Sequence, residues 1–184
     1  MTYISLGGNC AVCYNLRQLN LYNESMPFDY CKVSIKNLIN VLDNNFINYE
    51  DIEFKKKSNN HKIIKSNNLT EDNSIILTNK YNIQFAHEIS NKYNINEFKE
   101  KLQTRIKRFI NVENPIFVRL ETENIKDMNI YYKLEEVLDK YFKNYKIILI
   151  SKKKIKSNKI IHYSLDEFSS DWKYESVNWH NIFT

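Results

Sequence analysis

The chain has 184 residues, 42% of them hydrophobic and 14% aromatic, which suffices for one folded core without disulfide or metal staples and excludes intrinsic disorder. A good part of its +5 net charge sits in two short lysine tracts, Lys55–Lys57 and Lys152–Lys154. Runs so far apart read as solvated loops and argue against nucleic acid as a partner.

No stretch approaches the ~20 apolar residues of a membrane span, and the start lacks the basic and apolar regions of a secretory signal. Three cysteines cannot all pair within the chain, so a reducing, cytoplasmic setting with no membrane partner is expected. The abundance of Asn, Lys, Ile and Tyr is what an A+T-rich genome writes into neutral positions, and it carries little functional weight.

In chain order, residues 2–6 read as a buried strand and Gly7-Gly8-Asn9 as a turn. From Cys10 to Leu21 the apolar residues Cys10, Val12, Cys13, Leu16 and Leu19 follow helical spacing. Pro27 breaks the next stretch, and residues 34–46 then repeat Ile35, Leu38, Ile39, Leu42 and Phe46 as a helix with Ser34 as its N-cap. Residues 50–73 are polar and weakly patterned and read as a long excursion, with one short strand at residues 61–65. Residues 74–78 and 82–89 look extended around a turn. An amphipathic helix follows over 94–112, with Phe98, Leu102, Ile106, Phe109 and Ile110 on one face. A strand at 115–120, a helix at 130–144, strands at 146–151 and 159–165, and an aromatic tail over 171–183 complete the pattern. Strand–helix alternation of this kind predicts an α/β fold. The chain is expected to be a single three-layer domain, residues 1–184, with a mostly parallel, Rossmann-like sheet.

The chain holds only two glycines, and both stand directly before Cys10-x-x-Cys13. A glycine pair between strand and helix permits a sharp turn through positive φ. The helix that follows offers free N–H groups and the positive end of its dipole. A cysteine at its first residue should have a depressed pKa, which makes Cys10 a candidate nucleophile. The plainer reading makes Cys10 and Cys13 small buried hydrophobes. A phosphate cradle is weak, because the Gly-x-Gly-x-x-Gly and Gly-Lys-Ser/Thr spacings are absent. A thioredoxin-like dithiol is the redox rival, with Pro115 mimicking the proline opposite such a site, although the order of elements is wrong for that fold.

A thiolate catalyst needs an imidazole. Of four histidines, His87 leads because it lies at or near a strand end with Glu88 beside it. Asp29, on the turn set by Pro27 and Phe28, either orients that histidine or caps local structure. Arg119, closing a strand, either grips a substrate carboxylate or phosphate or pairs with Glu121 or Glu123. The amides of Gly8, Asn9 and Cys10, or the Asn9 side chain, would form an oxyanion hole. In the non-catalytic alternative, Asn9, Arg17, Asp29 and Arg119 grip a glycan or phosphorylated ligand. The scattered His and Cys residues suggest no metal site, and no cofactor is expected.

The segment Ser5-Leu6-Gly7-Gly8-Asn9-Cys10 through Ser25-Met26-Pro27-Phe28-Asp29-Tyr30 resembles the opening signature of a domain family described as "putative papain-like cysteine peptidases". Phe85-Ala86-His87-Glu88, Phe117-Val118-Arg119 and Trp179 to Phe183 resemble its later motifs, in the same order. The resemblance implies Cys10 as nucleophile, His87 as base, and Asp29 or Glu88 as the orienting acid. Cys13 is not one of the family's positions, and Glu88 stands where aspartate is commoner. A papain-like α+β fold is the alternative that the resemblance implies. The strand ahead of Cys10 favours the Rossmann-like reading. Thioester or ester hydrolysis or acyl transfer, on a peptide, ester or glycan-type small substrate, then stands beside proteolysis.

Overall fold

A computed structural model gives the fold, and it describes residues 2–58, 74–85 and 95–183. In chain order its elements are β1 (Thr2–Ser5), α1 (Ala11–Gln18), β2 (Cys31–Lys32), α2 (Ile35–Asp43), β3 (Ile52–Ser58), β4 (Ser74–Asn79), β5 (Gln84–Phe85), α3 (Ile95–Ile110), β6 (Pro115–Leu120), α4 (Asn129–Asp139), β7 (Lys146–Ser151), β8 (Ile160–Ser164) and α5 (Trp179–Phe183). Two sheets result. One is parallel, in the order β1-β6-β7-β8, and the other is antiparallel, in the order β2-β5-β4-β3.

The parallel sheet carries the expected α/β architecture. Strands β6 and β7 are apolar along nearly their whole length because both of their faces are covered. Alternation along β6 and β7 sends Phe117, Ile147 and Leu149 to the side of α2, α3 and α4. Val118, Leu120, Ile148 and Ile150 point the other way, onto Ala11, Val12 and Leu16 of α1 and onto Trp179, Ile182 and Phe183 of α5. Helices on both faces of a parallel sheet make the three layers. The antiparallel sheet is an addition that strand–helix alternation does not predict.

Local chemistry sets the element ends. Ser34 caps α2 as expected, its hydroxyl accepting from the Asn37 N–H at 3.3 Å. Helix α1 stops at Gln18, short of the expected Leu21. Asn20 enters the left-handed region (φ +58°), so the Asn20 and Leu21 amides bond back to the Arg17 and Leu16 carbonyls at 3.1 and 2.8 Å. That pairing is a Schellman stop, and asparagine tolerates it better than most residues. Ile110, expected on the buried face of α3, is 42% exposed, while Arg105 of the same helix is buried. Part of the polar excursion is structured, since Ile52–Ser58 pairs with Ser74–Asn79. The strand expected at 61–65 lies outside the described residues.

A chain of aromatic rings ties the two sheets together. Phe85 of β5 meets Tyr49 at 6.1 Å between centroids, Tyr49 meets Phe28 at 5.9 Å, Phe28 meets Phe109 at 5.8 Å, and Phe109 meets Phe117 of β6 at 5.6 Å. Such pairs add about 0.5–1.5 kcal/mol each beyond area burial. Phe28 is fully buried at the centre of this chain. It therefore anchors the Pro27–Asp29 turn against the body that carries β1 and α1.

Candidate active site

Parallel strands β1, β6, β7 and β8 all end on one edge of the sheet, the edge at which α/β proteins assemble their sites. There β1 runs into Gly7 (φ +74°) and Gly8 (φ +101°), and α1 begins. Each glycine is required twice over. A β-carbon on Gly7 would lie 2.3 Å from Val33 Cγ1, and one on Gly8 would lie 2.1 Å from the Leu120 carbonyl oxygen. The turn is thus pressed against the segment after β2 on one side and the end of β6 on the other.

Cys10 stands at the N-cap of α1, partly exposed, with its carbonyl accepting from the Tyr14 N–H at 3.0 Å. Asn9 caps this turn. Its Oδ1 accepts from the Ala11 N–H at 2.9 Å, and its Nδ2 donates to the Trp172 carbonyl at 3.4 Å. One orphan donor of the first turn is therefore satisfied by Asn9. The Asn9 side chain is held in this capping role.

Cys13 lies on the inner side of α1, fully buried. Burial pushes its thiol far up, the Asp29 carboxylate adds to the shift, and a hydrogen bond with Tyr30 opposes it. This is the environment of a packed thiol. None of the three cysteines is in a disulfide.

Asp29 is 2% exposed. Its Oδ2 accepts from the Met26 N–H at 2.8 Å and from the Tyr22 hydroxyl at 3.0 Å, closing the turn that Pro27 shapes. Burial raises its pKa to about 6, against the opposing effect of these two bonds and of Arg105 and Arg17. Arg17 is exposed on the last turn of α1, its guanidinium stacked over Tyr22 at 4.2 Å and Tyr30 at 5.1 Å.

Of the two roles expected for Arg119, the structure shows the pairing with Glu121 and not an exposed, substrate-gripping cation. Arg119 is 1% exposed, bidentate to Glu121 at 3.0 and 3.1 Å, and donates to the Leu6 and Val33 carbonyls at 3.0 Å each. Its guanidinium carbon would sit 3.9 Å from a β-carbon on Gly8. It braces the glycine turn from below, and a ligand has no access to it. With Asp29 and Arg119 both enclosed, the four residues of the glycan- or phosphate-binding alternative do not share a surface. His87 and Glu88 lie outside the described residues.

Sequence reasoning did not find Trp172 and Lys173 beside Cys10. The Trp172 carbonyl takes the Asn9 bond, the Lys173 carbonyl accepts from Asn15 Nδ2 at 3.0 Å, and no spacing signal links residues so far apart. Among the described residues no three His, Cys, Asp or Glu side chains converge as metal ligands, and no helix is long and apolar enough to cross a membrane.

The chain is 28% identical over 137 aligned positions to "Uncharacterized protein R408" of Acanthamoeba polyphaga mimivirus, an alignment covering 65% of this chain. It spans 61% of that relative's length. No solved structure matches. A family model described as "Putative papain-like cysteine peptidase" matches residues 1–154, which hold the Cys10 turn and three of the four strands of the parallel sheet, and the chain belongs to that family.

Proposed function

We propose that the protein is a cysteine-dependent, peptidase-like hydrolase that works through a thioester on Cys10. The observation that carries this reading is the position of Cys10. It is a partly exposed thiol at the first turn of α1, delivered by a strand–Gly-Gly–helix turn to the carboxyl edge of a parallel sheet. The helix-start amides and dipole favour negative charge there, on a thiolate or on the oxyanion of a tetrahedral intermediate.

In the proposed cycle Cys10 Sγ attacks the substrate carbonyl carbon as its proton passes to His87. The resulting imidazolium protonates the leaving amine or alcohol, and the C–N or C–O bond breaks. Water, deprotonated by His87, then cleaves the thioester and returns the thiol. The assignment of His87 rests on its family motif. Glu88 remains the candidate orienting acid, since Asp29 is occupied by Tyr22 and Met26.

The test is activity-based labelling of the full chain with a thiol-directed acylating probe, followed by site mapping. Labelling of Cys10 that is lost in Cys10→Ala and slowed about a hundredfold or more in His87→Ala supports the reading. Equal labelling of Cys10→Ala and the parent overturns it.

A further inference from the structure

Family-matched residues end at 154, yet both asparagines that flank Cys10 are bonded to a segment beyond that point. Asn9 Nδ2 donates to the Trp172 carbonyl, and Asn15 Nδ2 donates to the Lys173 carbonyl. Asp171 fixes this strap from within, its carboxylate accepting from the Lys173 and Glu175 amides at 3.2 and 3.3 Å. The strap therefore lies across the first turns of α1 in one defined conformation.

Trp172 is the side chain that this arrangement presents. Its ring packs edge-on against Tyr14 at 5.1 Å between centroids, while 48% of the residue stays exposed. Tyr14 is one helical turn after Cys10, so the two share a face of α1. Trp172 is thus held by residue 9 through its carbonyl and by residue 14 through its ring, the two positions that bracket the thiol. Lys173 reaches back over both rings, at 5.6 Å from Tyr14 and 5.9 Å from Trp172, and stiffens the pair. The other tryptophan, Trp179, is buried and hydrogen-bonded to the Tyr174 carbonyl, as a packing residue should be. A large indole left half in water against the helix face that carries Cys10 is the arrangement of a substrate wall.

From this we infer that Trp172, braced by Tyr14, is a specificity-determining residue that receives a planar aromatic side chain on the acyl side of the scissile bond. The inference rests on the reading of Cys10 as nucleophile. The strap itself lies beyond residue 154, where the match to the family model ends.

The test uses the full chain and three thiol reagents. These are two peptidyl chloromethyl ketones differing only in phenylalanine or alanine next to the reactive group, and iodoacetamide. Trp172→Ala should slow labelling by the phenylalanine reagent about tenfold, leave the other two rates within about twofold, and Trp172→Phe should restore most of the loss. Equal slowing of all three reagents would mean that the strap only positions α1, and no slowing would mean that Trp172 touches no substrate; either result overturns the inference. Tryptophan fluorescence separates this from failure of the Cys10 reading. If Cys10 is not the labelled residue, N-acetyl-phenylalaninamide titrated into Cys10→Ala still decides it. A saturable quench abolished by Trp172→Ala upholds the aromatic subsite, and no quench overturns it.

Discussion

Arg119 and Glu121 form a fork-to-fork ion pair, Nε to Oε1 at 3.0 Å and Nη2 to Oε2 at 3.1 Å, with both side chains 1% exposed. Two residues apart at the end of β6, they lie on the same face of the strand. The remaining Arg119 bonds, to the carbonyls of Leu6 and Val33, join the end of β1 to the segment after β2 directly beneath the glycine turn. Arg119→Met leaves Glu121 buried with no counter-charge and should cost about 3–5 kcal/mol. Adding Glu121→Leu should recover a large part of that loss, because the buried charge goes with it. Urea denaturation of the two single variants and the double variant measures both effects. Additive losses would show that the pair is not coupled.

The glycine turn makes a prediction that separates its two residues. Gly7→Ala meets a side chain, Val33 Cγ1 at 2.3 Å, so the clash can be relieved by Val33→Ala in the same protein. Gly8→Ala meets the Leu120 backbone carbonyl at 2.1 Å and no side-chain change relieves it. Both start from positive φ, which costs an alanine about 1–2 kcal/mol before any clash. The Gly7→Ala/Val33→Ala protein should therefore keep more stability and more Cys10 reactivity than Gly8→Ala. Thermal melts and thiol-labelling rates on the two proteins check this, and the reverse order would refute it.

This turn was the most legible part of the sequence because its cause is local. A strand, two glycines and a helix-spaced apolar run each act over a few residues, as does Ser34 ahead of α2. Strand β3 was not legible. In Ile52-Glu53-Phe54-Lys55-Lys56-Lys57 the apolar alternation stops after Phe54, and its pairing depends on β4, residues 74–79. Local propensity yields there to a ladder formed with a strand distant in sequence. For Arg119 the pairing with Glu121 was one of two open readings, and its enclosure was hidden for the same reason on a longer scale. The carbonyls it binds lie 113 and 86 positions earlier, so nothing near the strand end marks the guanidinium as enclosed. The Cys10 neighbourhood shows both cases, with the Gly-Gly-Asn turn readable locally and Trp172 visible only once the tail is folded back.

The three thiols should be kinetically distinct in the folded protein. Cys10 is partly exposed, whereas Cys13 and Cys31 are buried, and Cys31 Sγ donates to the Phe28 carbonyl at 3.2 Å. A chromogenic aryl disulfide should show one fast thiol, absent in Cys10→Ala, and two that react only as fast as the protein unfolds. Cys13→Ala should keep the fast phase and any turnover. A reversible Cys10–Cys13 disulfide, read as joint loss of two thiols under mild oxidation, would restore the redox reading.

Asp29 predicts how stability depends on pH. Burial raises its folded-state pKa to about 6, while the unfolded chain keeps an ordinary carboxyl near 3.8. Between those values the folded protein binds a proton that the unfolded chain has released, so stability falls as pH rises through this window. The contribution is fully present below about pH 4 and lost above about pH 6, a difference of roughly 2–3 kcal/mol. Asp29→Asn keeps an acceptor for the Met26 amide and the Tyr22 hydroxyl but cannot ionise. The stability of the parent relative to this variant should therefore decline from pH 4 to pH 7 and level off beyond. Paired urea titrations at pH 4.5 and 7.5 measure the decline. A difference between the two proteins that does not change with pH, or that grows in the parent's favour toward neutrality, would mean that the bonds from Met26 and Tyr22 outweigh the burial of the charge.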